Sequence, residues 1–150
     1  GAASANYGLY GGGSDGSKIT QINYITFSTL SDSSDFGDLT LARATANGSC
    51  SNTSRALWAA GGGASANTDR IDYVDTASLT NATDFGDVVQ NQVEGLSGAA
   101  NSTRATFTGG IDGGSRSNII QYVTISTPGD ATDAADLTAG IRTPVGFSGT

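Results

Sequence analysis

The stretch Arg70-Ile71-Asp72-Tyr73-Val74-Asp75-Thr76 sets Ile71 and Tyr73 on one side of an extended chain and Val74 on the other. Earlier in the chain, Ile22 and Tyr24 likewise oppose Ile25 and Phe27. A hairpin protein with one wet face would alternate apolar and polar residues more cleanly. Apolar residues on both faces predict a strand in a sheet that is itself sandwiched between other sheets.

Working outward, Tyr73 lies 49 residues after Tyr24 and 49 before Tyr122. The same shift places Asp35 on Asp84 and Asp133, Asp38 on Asp87 and Asp136, and Gly12 on Gly61 and Gly110, with no gap. Leu9, Trp58 and Phe107 also fall in this phase, as do Leu39, Val88 and Leu137. With 150 residues making three periods plus three residues, the chain reads as a single repeat domain of three copies. A convenient frame cuts it at approximately 8–56, 57–105 and 106–150, with 1–7 left over. No stretch remains for an appended catalytic domain.

Composition agrees with an all-β class. One Lys, one Glu and no Met accompany abundant Thr, Ser, Gly, Asp, Ile and Val, so strand and turn formers replace helix formers. A net charge of −7 argues against nucleic-acid partners, which need a basic face to displace counterions. No apolar run approaches the ~18 residues of a membrane span, so membrane insertion is not expected. The opening Gly1, in place of Met, reads as a processed or excised product.

In the middle copy, Leu57-Trp58-Ala59-Ala60 reads as a strand stopped by Gly61-Gly62-Gly63, followed by a polar loop over 64–68. The Tyr73 strand comes next. Asn81-Ala82-Thr83-Asp84-Phe85-Gly86-Asp87 then reads as turn chemistry, Val88-Val89 as a third strand and the small residues of 44–50 as a weaker fourth. Four strands per copy make one small sheet.

These residues resemble the kelch repeat: an Arg, an apolar strand ending in a Gly-Gly doublet, a strand centred on Tyr, an aromatic, then an apolar residue. Here the order is Arg55, Leu57-Trp58, Gly61-Gly62, Tyr73, Phe85 and Val88. The strings Ile22-Asn23-Tyr24-Ile25-Thr26, Asp35-Phe36-Gly37-Asp38-Leu39-Thr40-Leu41-Ala42-Arg43 and Asn52-Thr53-Ser54-Arg55 look more closely like kelch-like repeats of tail-fibre and other virion proteins of marine and cyanobacterial phages. Phe36 and Phe85 stand where kelch repeats usually carry Trp, and Ala134 replaces the aromatic in the third copy.

The resemblance implies three four-stranded β-propeller blades. Propellers close with roughly 4 to 8 blades, so three imply a ring or stack completed by self-association. The alternative is a closed threefold β-trefoil or β-prism, which needs no partner but lacks here the Gln-x-Trp signature of sugar-binding trefoils.

The absence of His removes Ser-His-Asp and Cys-His catalysis, and no enzyme is expected. Asp residues that recur in every copy are not an asymmetric carboxylate pair. The spacing at Asp32, Asp35 and Asp38, at Asn81, Asp84 and Asp87, and at Asp130, Asp133 and Asp136 has two readings. One is turn capping by carboxylates that accept backbone N–H groups, which needs no cofactor; the other is a calcium site of clustered oxygen ligands. Arg55 and Arg104 are expected to be structural ion-pair partners or carbonyl binders. Cys50 reads as a core filler.

Asn47, Asn52, Asn81 and Asn101 satisfy the N-glycosylation pattern. Among the aromatics outside the periodic core positions, Tyr7, Tyr10 and Trp58 are candidates for stacking on sugar rings, with core packing favoured for Trp58. The expectation is a noncatalytic module of an extracellular or virion surface that partners itself and presents loops to cell-surface carbohydrate. The alternative is a lectin of trefoil or prism type.

Overall fold

The computed structural model describes residues 1–44, 48–63, 67–91 and 93–146. It is all-β, with several antiparallel sheets, none of which closes into a barrel among the described residues. The first sheet runs β1 (Ala2–Ala3), β2 (Tyr7–Gly11), β3 (Gln21–Thr26) and β4 (Ser34–Asp38) in chain order. In the second, β6 (Gly48–Ser51), β7 (Arg55–Gly63), β8 (Asn67–Asp75) and β9 (Thr83–Asp87) repeat that order, and β5 (Arg43–Ala44) pairs with the end of β7. The third contains β11 (Ser97–Ala100), β12 (Arg104–Thr108), β15 (Ile119–Thr124) and β16 (Thr132–Asp136). Beside it, β10 (Val93–Glu94), β13 (Ile111–Asp112) and β14 (Ser115–Arg116) form a small sheet. Cuts after residues 56 and 105 would therefore fall inside β7 and β12.

Three sequence readings of the middle copy change. The β7 strand does not stop at the glycines but runs through Gly63, so that Gly62 pairs with Asn67 and Gly61 with Thr68; of the loop expected over 64–68, residues 64–66 lie outside the described residues. The Asp84-Phe85-Gly86-Asp87 segment, read as a turn, is the outer strand itself, and Val88-Val89 follow it. The small-residue strand Gly48–Ser51 opens the second sheet rather than closing the first. Gly and Asp in the outer strand obscured it, because both are depleted in strands.

The single period of 49 also needs correction. Leu9 pairs with Tyr24 as Leu57 pairs with Tyr73, and Tyr10 pairs with Asn23 as Trp58 pairs with Asp72 and Phe107 with Gln121. Tyr10, not Leu9, is thus the counterpart of Trp58 and Phe107. The cause is a bulge in β7, where Ala60 sits at φ 58° between the paired Ala59 and Gly61. In β2 the pairing passes without that extra residue from Gly11 to Gly12, whose N–H donates to Gln21 O at 2.9 Å.

One side-chain oxygen shapes each turn that leads into the second strand of a sheet. Ser4 Oγ accepts from Asn6 N and Tyr7 N, Asn52 Oδ1 from Ser54 N and Arg55 N, and Asn101 Oδ1 from Thr103 N and Arg104 N. The second sheet is apolar on both faces, as its Tyr73 strand predicts. On one side Trp58 and Val74 pack with Leu9, Ile22, Phe36 and Leu39 of the first sheet. On the other, Leu57, Ile71 and Phe85 pack with Ala105, Phe107 and Val123 of the third.

Close approach at these two seams explains one repeated glycine. A Cβ on Gly37 would lie 2.7 Å from Thr80 O, and one on Gly86 would lie 2.5 Å from Gly129 O. Both glycines also have positive φ, 148° and 143°. Gly86→Ala should therefore cost about 1–3 kcal/mol in urea unfolding, since backbone faces backbone there and neither side can yield. A midpoint within error of the parent would show that the seam is looser than this.

Candidate functional site

The outer strand of one sheet and the segment after it dock on the next sheet by the same hydrogen bonds at both seams. Asp38 N donates to Asn81 Oδ1 at 3.1 Å, and Asp87 N to Asp130 Oδ1 at 3.0 Å. Ala82 N donates to Asp38 O and Ala131 N to Asp87 O, at 2.7 and 2.8 Å. Two residues further on, Thr40 N donates to Asp72 Oδ2 at 3.1 Å and Val89 N to Gln121 Oε1 at 2.7 Å. Asp72 and Gln121 both stand in the central strand of the receiving sheet with 0% exposure.

Each buried acceptor has a buried polar partner from the preceding sheet's tail. At the first seam Arg43 Nη2 contacts Asp72 Oδ2 at 2.6 Å, while Arg43 Nη1 donates to the carbonyls of Trp58, Ala60 and Arg70. At the second, Gln121 Nε2 donates to Gln90 Oε1, and Gln90 Nε2 reaches Gly109 O and Ser117 Oγ. One seam gives its buried acceptor a charged partner and the other a neutral amide, from tail positions two residues apart in the repeat. Burial pushes the Asp72 carboxyl up and the Arg43 guanidinium down, each opposed by the partner's charge. Arg43 Nε is the one buried side-chain polar atom without a partner among the described residues.

Arg55 binds a ring, a carboxylate and a carbonyl, and Arg104 binds a ring. Arg55 lies 4.5 Å over Tyr73, contacts Asp75 at 3.2 Å and donates to Ile125 O of the third sheet at 2.8 Å. Arg104 lies 4.9 Å over Tyr122. On Tyr24 the covering group is Tyr7, edge-on at 5.3 Å. Trp58 is buried in the first seam, whereas its counterpart Tyr10 is 53% exposed.

Some aspartates of the calcium pattern accept hydrogen bonds within their own sheet, and Asp130 accepts one across a seam. Asp35 Oδ1 accepts from Gly37 N, Asp84 Oδ1 from Gly86 N, and Asp38 Oδ1 from Thr20 Oγ1. Asp84 also faces Arg70 at 3.5 Å. Asp32, Asp133 and Asp136 are exposed, and among the described residues no three acidic, His or Cys groups converge on a point.

Of the glycosylation candidates, Asn47 lies outside the described residues. Asn52 Nδ2, the atom a glycan would modify, donates to Ser102 O at 3.0 Å between neighbouring sheets. Asn81 and Asn101 are exposed, with their Oδ1 atoms engaged as described.

The first strands of the three sheets, β1, β6 and β11, lie side by side. Ser49 Oγ and Ser51 Oγ bridge to the backbone of Gly1 and Ala3, and a Cβ on Gly98 would lie 2.6 Å from Ser49 O. They line a concavity of about 940 Å³ whose walls also include Tyr10 and Phe27. Its groups are small, hydroxylic or apolar, apart from the amides of Asn52 and Asn101. The Cys50 thiol beside it is pushed up to about 12 by burial, which leaves it protonated. No protein-family model matches the chain, and no curated protein matches it.

Sequence reasoning missed Asp72, Gln90 and Gln121 altogether. The signal was available as a polar residue at the same phase of an otherwise apolar strand, Asn23, Asp72 and Gln121.

Asp72→Ala should cost about 3–5 kcal/mol by leaving Arg43 buried without its counter-charge. Arg43→Gln/Asp72→Gln, which replaces the ion pair by two neutral amides, should cost clearly less in the same urea titration; equal losses would deny that an amide pair can serve this seam. Asp87 gives a pH test. Burial first, then Asp69, Asp130 and Asp84, hold its carboxyl above the usual range. Its contribution is therefore complete below the ordinary carboxylate range and is lost as pH rises through the raised value. Asp87→Asn should raise the unfolding midpoint at about pH 7 and lose that advantage towards about pH 4; an unchanged midpoint at neutral pH would contradict it.

Proposed function

We propose that the protein is a noncatalytic structural module, an arc of three kelch-like propeller blades that joins further blades at an extracellular or virion surface. The observation that carries this reading is the seam repeated between successive antiparallel sheets, with β1, β6 and β11 turned to one shared concavity. Face-to-face stacking of twisted sheets around their first strands is propeller architecture. A β-trefoil needs a barrel instead, and a threefold prism needs each sheet to meet both others.

The chemistry of the polar groups supports a structural role. Asp72, Arg43, Gln90 and Gln121 are used up in holding one sheet to the next. The one thiol is buried and protonated. Presentation of loops to cell-surface glycans belongs to the same reading, through the turns that the stack holds rigid.

Class averages from electron microscopy of the purified protein should resolve an open arc with three lobes around a notch. A closed particle with an internal threefold axis would instead favour the trefoil or prism architecture and overturn this reading.

A further inference from the structure

The two seams define a receiving half and a supplying half, and the outer faces of the stack can be judged against both. The receiving half consists of a large aromatic in the second strand (Trp58, Phe107), a buried polar acceptor in the third (Asp72, Gln121) and a side-chain acceptor followed by a backbone N–H in the turn before the fourth (Asn81 and Ala82, Asp130 and Ala131). Among the described residues the first sheet has no neighbour on this side, yet it carries every part. Tyr10 stands at the Trp58 position, Asn23 at the Asp72 position, and Asp32 and Ser33 at the Asn81 and Ala82 positions. Tyr10 and Phe27 are exposed, and the half-buried Asn23 side chain has no hydrogen-bond partner among the described residues.

The supplying half is an outer strand with Phe and then Gly, followed by a tail with a long polar side chain: Phe36, Gly37 and Arg43, or Phe85, Gly86 and Gln90. The third sheet's outer face lacks all three. Ala134 and Ala135 replace Phe and Gly, and both are exposed. Ile141 takes the Arg43 place: its N–H bonds Ser117 O and its carbonyl accepts from Gly110 N, as Arg43 bonds Ile19 O and Gly13 N. Ala139 takes the Gln90 place. At the existing seams a Cβ where Ala135 has one would lie 2.5 to 2.7 Å from backbone of the docked turn.

We infer that the open face of the first sheet is a docking site for a further blade whose outer strand reads Asp-Phe-Gly-Asp with an Arg or Gln tail, and that this chain's own third sheet does not fill it. This rests on the blade reading above. It narrows the self-association expected from the number of blades: copies of this chain do not join third sheet to first.

The test restores the missing half. Sedimentation velocity at matched concentrations should give a monomer for the parent chain and head-to-tail oligomers for Ala134→Phe/Ala135→Gly/Ile141→Arg, with Asn23→Leu added to that variant returning it to monomer. If the triple variant does not fold, Ala135→Gly/Ile141→Arg, which alters two exposed positions, should show the same association more weakly. A folded variant that stays monomeric, or association that survives Asn23→Leu, would overturn the inference while leaving an open arc in micrographs intact. Oligomers of the parent chain that Tyr10→Asp disperses would also overturn it, by showing that a second copy already occupies the face.

Discussion

The stack depends on placing a hydrogen-bond acceptor inside each seam. Thr40 N and Val89 N come from segments just outside a strand and reach acceptors, Asp72 and Gln121, that are wholly withdrawn from water. A buried acceptor left empty is costly, so the second and third sheets each depend on the preceding sheet's tail. The other seam features serve the approach that makes this bond possible. Glycine at 37 and 86 removes the Cβ that would hold the sheets apart, and Trp58 and Phe107 fill the space beside the bond.

The two seams reach the same end with different electrostatics. The first uses Arg43 and Asp72, where both charges lose their hydration and recover it through three backbone carbonyls and the Thr40 amide and hydroxyl. The second uses Gln90 and Gln121, which have less hydration to lose. A buried ion pair contributes little net stability but discriminates strongly against mismatched partners.

Much of this was legible in the sequence, and the limits have physical causes. The all-β class, the repetition and the doubly covered central strand follow from Ile71, Tyr73 and Val74 and their counterparts. The outer strand was misread because Asp and Gly normally mark turns; here Gly is required by the close approach of another sheet, a tertiary fact. The period of 49 hid a bulge at Ala60, because an extra residue within a strand changes pairing without disturbing the downstream phase. Of the repeated aspartates, Asp35 and Asp84 accept N–H groups from their own strand. Asp72 escaped notice since a single polar residue in a strand looks like an exposed one until the next sheet is known to cover it.

The buried seam bonds belong to individual amides, and native-state hydrogen exchange reads them. Thr40 N–H and Val89 N–H lie outside regular strands, and Val89 is 43% exposed as a residue. Both are expected to exchange only on global unfolding, while Thr138, at the same phase beyond the third sheet, exchanges at the rate of an open loop. Equal and fast exchange at all three positions would contradict it.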